Sequence, residues 1–282
     1  MAGAWEIAFG TIISRPYVFA FFAAYLLAAI PHLGWRKVAL FTPLGYLIAF
    51  LSELCSINTG FPYGWYYYID TTSSRELWVA GVPFFDSISY VFLCYCSYSV
   101  ALLILSPLRT ERRKLVILET KAIRSSFAVL LLGSLLQTYL DIIIDPVSLQ
   151  GGRWFLGQIY GYREAGCHFG VPLSNYLGWW LTSAVMISAL QWIDRRVPGE
   201  PGFQSRYQKL PFSPLYGPAL YLSVIVFNLT IAAMINERQI AVTGLFIVIL
   251  PLTMIVTLAI RRINRFTDAE LNEHREDFAP RR

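Results

Sequence analysis

An all-α, polytopic integral membrane protein of about seven transmembrane helices is the fold class this sequence predicts. Three observations carry it. The chain is 56% apolar and 15% charged, with a mean hydropathy of +0.50, against roughly 25% charged residues in soluble domains. Its apolar runs approach or reach the roughly 20 residues that cross a hydrocarbon layer. The Lys and Arg residues, which leave a net charge of +5, fall in links between those runs and form no basic face. That distribution is a topology signal and argues against nucleic-acid binding.

The first span, Tyr17–Leu33, follows Arg15-Pro16. No Lys or Arg precedes Arg15, and the run is too long for the core of a cleavable signal peptide, so it is expected to stay in the bilayer. The second, Val38–Leu54, comes after the basic link Arg36-Lys37 and ends at Glu53. The third, Pro83–Leu105, and the fifth, Val171–Ile193, both open on Gly-Val-Pro; a proline there costs no helical hydrogen bond, because that amide is an orphan anyway. The fourth, Ser126–Val147, carries Asp141 and Asp145 and is expected to stop at Pro146. The sixth and seventh are Leu215–Ile235 and Ile240–Ile260. All seven form one integral membrane domain over residues 1–282, and the charged tail Arg261–Arg282 is expected to fray into solvent.

Orientation follows from the basic residues. Arg109, Arg112, Arg113, Lys114, Lys121 and Arg124 lie between spans three and four, and Arg195, Arg196, Arg206 and Lys209 between five and six. Arg261, Arg262 and Arg265 follow span seven, whereas the alternate links carry only Arg75, Arg153, Arg163 and Arg238. The N-terminus is therefore expected outside and the C-terminus in the cytoplasm, across a bacterial-type cytoplasmic membrane.

This topology places the links Cys55–Gly81 and Ser148–Gly170 on one side. Gly81-Val82-Pro83-Phe84-Phe85-Asp86 matches Gly170-Val171-Pro172-Leu173-Ser174-Asn175 at a constant offset, each after a Gly- and Tyr-rich link. A parallel internal repeat of two helical hairpins is predicted, with a site at the repeat interface where Asp86 and Asn175 face one another. Cys94 and Cys96 read as small core residues. Cys55 and Cys167 fall at matching helix ends, a placement compatible with a disulfide.

Glu53, Asp86, Asp141 and Asp145 are the candidate chemistry. Each alone reads equally as a helix cap or as a partner for Arg153 or Arg163. Ionisable groups at membrane depth are nevertheless costly enough to mark a functional site, and Asp141 and Asp145 share one helical face. Burial favours the neutral, proton-bearing form of a carboxyl group, which can protonate an alkene. The aromatic residues of the links, among them Tyr63, Tyr66, Tyr68, Trp154, Tyr160, Tyr162 and Trp179, suit an interfacial belt or a π-rich pocket that stabilises a carbocation. Tyr63 and Tyr66 are the aromatics placed to act directly. His168 reads as a link residue or a water-holding group. The three histidines are scattered, so no metal centre is expected, and no nucleotide or flavin motif is present.

Ser52-Glu53, Thr59-Gly60-Phe61-Pro62-Tyr63-Gly64-Trp65-Tyr66-Tyr67-Tyr68 and Gly81-Val82-Pro83 resemble the E…TGxPFGxYxY…GVP motif of the membrane carotenoid hydratases, which include bisanhydrobacterioruberin hydratases and γ-carotene 1′-hydratases. Asp141 through Asp145-Pro146, then Tyr162 and Gly170-Val171-Pro172-Leu173-Ser174-Asn175-Tyr176-Leu177-Gly178-Trp179, are similar to that family's D…DP…YxGVPLSNFxGW motif. The resemblance spans residues 45–185. Tyr63 departs from the family's usual Phe, and Arg163–His168 from its Tyr-rich run, both of which bear on substrate choice.

The resemblance implies addition of water across the terminal C=C of an acyclic ψ-end carotenoid, without cofactor or metal. The substrate is dissolved in the bilayer. Motif position carries over to Glu53, Asp86, Asp141, Asp145 and Asn175. On this reading Asp145 or Asp141, and next Glu53, protonates the alkene, a second carboxylate and the Tyr/Trp wall stabilise the cation, and water held by Asn175, Asp86 or His168 captures it. Substrate contacts are expected from Tyr63, Tyr66, Tyr68, Trp154, Tyr162, His168 and Trp179. A carotenoid or isoprenoid cyclase begins with the same protonation. A non-catalytic carotenoid- or lipid-binding protein, or a small transporter, would leave the pigment unchanged.

Overall fold

The computed structural model describes residues 4–111, 114–198, 210 and 212–278; Arg112, Arg113, Arg206 and Lys209 of the topology argument lie outside the described residues. Helix α1 (Ala4–Ser14) precedes α2 (Pro16–Leu33), α3 (Trp35–Thr59) and α4 (Phe84–Leu105). A single turn, α5 (Lys121–Arg124), leads into α6 (Phe127–Ser148) and α7 (Leu173–Arg196). Then come α8 (Tyr216–Met234), α9 (Arg238–Arg262) and α10 (Asp268–Phe278). Six of the seven long helices are apolar enough to cross a membrane. The remaining one, α7, is 24 residues long, but Asn175, Gln191, Asp194, Arg195 and Arg196 dilute its hydropathy. The chain is an all-α polytopic membrane protein.

Helix α4 is the axis of the bundle. Its apolar stretch is 89% buried, against 17% for α9, which lies at the periphery with Phe246 and Leu250 turned outward. Around α4 pack α2, α3, α6 and α8, while α7 closes the gap between α3 and α6. The hairpins α3–α4 and α6–α7 thus form matched halves. Gly81 (φ 83°) and Gly170 (φ 90°) take the left-handed backbone that turns each link into its second helix, and Pro83 and Pro172 are the N-cap residues of α4 and α7.

The links are not featureless. Strand β1 (Tyr66–Tyr68) lies antiparallel to the later strand β6 (Tyr160–Tyr162), in the register Tyr66↔Tyr162, Tyr67↔Gly161 and Tyr68↔Tyr160. Equivalent segments of two related hairpins pair antiparallel when the halves are related by a twofold. Two further ribbons are short: β2 (Trp78–Val79) with β3 (Val82–Pro83), and β4 (Leu108–Glu111) with β5 (Lys114–Ile117).

Three expectations need correction, and one stretch outside the expected spans adds a helix. Pro146 does not stop α6, which runs on to Ser148; so near the C-terminus the missing amide forfeits a single hydrogen bond. Cys55 and Cys167 are free exposed thiols, Cys55 Sγ lying 3.4 Å from Thr59 Oγ1 of its own helix. The N-terminal residues form α1, held by Thr11 Oγ1 accepting from Leu77 N at 2.7 Å and followed by the buried ion pair Arg15–Glu76 at 3.0 Å. The tail does not simply fray. In α10, His274 is buried with Nδ1 2.6 Å from Glu119 O, and Phe278 lies 4.6 Å beneath the Arg124 guanidinium.

That docking completes a buried ionic cluster at the end of the bundle remote from the Tyr strands. Arg124 donates to Glu119 at 2.6 Å and to Asp194 at 3.4 Å, Lys37 Nζ lies 2.5 Å from Asp194, and His32 Nε2 lies 3.1 Å from Glu119. Burial alone would raise the Glu119 carboxyl, but His32 and Arg124 together hold it well below the usual carboxylate range. The cluster ties the ends of α2, α3, α5 and α7 together.

Candidate active site

Helical periodicity sets the first half of the site. Glu53, two turns before the end of α3, is 1% exposed, and its Oε2 accepts from Ser87 Oγ in the first turn of α4. One residue before Ser87, Asp86 Oδ2 accepts from Tyr68 OH at 2.6 Å. Tyr68 leaves β1 on the same side as Tyr66, because side chains two apart on a strand share a face.

The second half uses the corresponding elements. Tyr160 OH donates to Asp145 Oδ1 at 2.7 Å and Tyr162 OH to Asp145 Oδ2 at 2.6 Å, again two residues apart on one strand. Asn175 Nδ2, one turn into α7, donates to Asp145 Oδ2 at 2.8 Å and to Asp141 Oδ2 at 2.7 Å. Asp145 therefore accepts three hydrogen bonds. Asp141, fully buried behind it, accepts one and leaves Oδ1 without a hydrogen-bond donor.

The two halves meet at a cavity of ≈ 80 Å³. Glu53 and Asp86 line one side, Asp145 and Asn175 the other, and Tyr63, Tyr66, Tyr90 and Trp179 the end. Tyr90 and Trp179 stack with ring centroids 4.1 Å apart and planes 4° from parallel. Tyr66 stands at the centre of the phenols, edge-on to Tyr68 at 5.3 Å and to Tyr162 at 6.2 Å. Close approach of α7 makes this wall possible: a Cβ at Gly178 would lie 2.4 Å from the Tyr63 ring. The Tyr63 hydroxyl is itself accommodated, donating to Thr182 Oγ1 at 2.9 Å and lying 2.8 Å from Ser52 Oγ.

Burial, and then the nearby carboxylates, push the Tyr66, Tyr68, Tyr160 and Tyr162 phenols well above their ordinary value of 10.0. They remain neutral donors across any physiological pH. The two link arginines considered as partners for the acids do not pair with them: Arg153 pairs with Glu237, and Arg163 lies 4.4 Å over the Trp65 ring.

A second cavity of ≈ 90 Å³ adjoins the first and shares Asp86, Ser89, Leu93, Ile144, Ser148 and Tyr160 with it. Apart from Asn228 its other walls are apolar and aromatic, including Tyr17, Phe21, Phe85, Trp154 and Phe227. The site thus has an acidic chamber and an adjoining apolar one. Among the described residues, no group of three or more His, Cys, Asp or Glu side chains is arranged to hold a metal ion.

Of the residues singled out in the sequence, Glu53, Asp86, Asp145, Asn175, Tyr63, Tyr66, Tyr68, Tyr162 and Trp179 line the acidic chamber. Asp141 does not line it and sits behind Asn175 and Asp145, and Trp154 lines the apolar chamber with its indole N–H on Val147 O. His168 lies elsewhere. It packs with Ile142 and Pro146 on another face of α6, its Nδ1 2.6 Å from Tyr176 OH, and burial lowers its pKa. Asp86 and Asn175 line the same chamber but each bonds within its own hairpin. Tyr90 and Ser87 are not among the residues the sequence points to, and Tyr160 is named there only as one of the link aromatics. Tyr160 was legible as the strand neighbour two before Tyr162, and Tyr90 as the helical neighbour four after Asp86.

The sequence model of a family described as "Carotenoid biosynthesis protein" matches residues 14–251, a stretch that contains every residue of both chambers. No curated protein and no solved structure is a significant match.

Proposed function

The chain belongs to the carotenoid biosynthesis protein family, and from that premise we propose that it is a cofactor-independent hydratase adding water to the terminal C=C of an acyclic carotenoid. One observation carries the reading. Carboxyl groups from two hairpins open on a single aromatic-walled chamber that shares six lining residues with an apolar one.

Hydrogen-bond supply separates the acids. Three donors on Asp145 favour its ionised form, whereas Glu53 accepts from Ser87 and shares the Tyr68 phenol with Asp86, so we assign the proton to Glu53. Glu53 gives that proton to the CH carbon of the trisubstituted alkene. The π electrons form the new C–H bond and leave a tertiary cation on the dimethyl carbon. Asp145 faces the cation with negative charge, and Tyr66, Tyr90 and Trp179 offer their π faces. A water held in the polar seam of Asp86, Ser89 and Ser148 attacks the cation and loses one proton to Asp86. The Tyr68 phenol, bonded to Asp86 and close to Glu53, offers a route for returning that proton. The balance is alkene plus water giving a tertiary alcohol.

The polar seam favours hydration over ring closure, because a cyclase must keep water from the same cation. The basic links at the opposite end of the bundle support placing the chambers on the outer side of the membrane. The test is expression in a lycopene-producing host, with extracted pigments analysed by mass. Hydration adds one water per reacted end, whereas cyclisation leaves the mass unchanged. Glu53→Gln should reduce the hydrated product by about 10²-fold or more. Full hydration by both Glu53→Gln and Asp145→Asn would sink the assignment.

A further inference from the structure

We infer that the apolar chamber is the channel through which the polyene end reaches the acids, and that it opens to the bilayer along the seam between α2 and α8 with Phe227 as its gate. This rests on the carotenoid reading of the acidic chamber and adds its access route and selectivity. The seam borders lipid: Leu27 on α2, and Leu222 and Val226 on α8, face outward and are exposed. Half-buried rings stand between that surface and the chamber. Phe227 stacks on Tyr17 at 5.3 Å and meets Phe21 edge-on at 5.5 Å. Behind them Val224, 2% exposed and one turn from Phe227 on the same helical face, lines the chamber wall.

The inner end meets the acidic chamber at Asp86, Ser89, Leu93, Ile144, Ser148 and Tyr160, the residues shared by the two. Side-chain volume at positions 224 and 227 sets the bore of the channel, and with it which polyene ends reach the acids.

The experiment uses Glu53→Gln protein, which should hold substrate without converting it, purified from lycopene-producing cells. The readout is pigment absorbance per polypeptide in the monodisperse fraction. Adding Val224→Phe should lower retained pigment about fivefold or more, since pocket volume of this size discriminates by that order. Adding Phe227→Ala as well should restore it, which a misfolded Val224→Phe protein would not allow. With Glu53 intact, the same two substitutions should lower and then restore the yield of converted pigment.

Undiminished pigment and product in the Val224→Phe proteins, or no recovery with Phe227→Ala, overturns the channel. If wild-type product shows added water while Val224→Phe changes nothing, hydration stands and the channel falls. If the pigment losses occur as expected but the product is a ring, the channel stands and hydration falls.

Discussion

Asn175 Nδ2 lies 2.8 Å from Asp145 Oδ2, and the same nitrogen lies 2.7 Å from Asp141 Oδ2. One amide group thus bridges two carboxyls four residues apart on α6, all three side chains being buried. Without the amide, nothing else described on α7 separates them.

Replacing Asn175 by Leu should therefore be costly in two ways. Leaving a buried carboxylate short of a donor costs about 1–3 kcal/mol of stability. Because Asp145 also loses alignment, hydrated product should fall by about tenfold or more. Detergent melting curves and pigment analysis check the two effects separately. Unchanged melting and turnover would remove Asn175 from the site.

Tyr160 and Tyr162 each give Asp145 one hydrogen bond, at 2.7 and 2.6 Å. Single Phe substitutions should each lower turnover, and the double substitution should fall short of the product of the single effects. Both phenols act on one carboxylate, and groups sharing a partner are coupled by about 0.5–3 kcal/mol. A four-protein comparison of product yield measures this. Strict multiplicativity would mean that the two phenols work independently.

His168→Gln should leave the hydrated yield within about twofold, because surface-type substitutions away from a site change energies by only about 0.5 kcal/mol. The imidazole bonds Tyr176 and lies outside both chambers. A large loss of product, with the protein still folded, would return His168 to the reaction.

The ionic cluster at the far end makes a prediction about stability and pH. Glu119→Gln breaks a buried pair with Arg124 and should destabilise by about 3–5 kcal/mol at neutral pH. The folded-state pKa of Glu119 is depressed below its ordinary value of 4.5. Its contribution is therefore fully present above that value and disappears as pH falls through the depressed one. Melting temperatures of wild type and Glu119→Gln should differ most at neutral pH and still differ at pH near 4.5, converging only in stronger acid. Equal melting temperatures at neutral pH would show that the cluster contributes no net stability.

The sequence by itself determined the membrane class, the run of long apolar helices, and the row of acids on α6, because transfer energy and helical period are properties of consecutive residues. It also held the repeated Gly-Val-Pro turn and the Tyr-rich runs of β1 and β6. Only tertiary structure decided that those strands pair across the hairpins, that three donors converge on Asp145 while Glu53 accepts from Ser87 and shares Tyr68 with Asp86, and that His168 stands apart. The docking of His274 and Phe278 on Glu119 and Arg124 was equally invisible, since a charged segment shows no period when its partners lie some 150 positions away. Contacts between helices depend on how their faces meet in three dimensions, and spacing along one chain does not encode that.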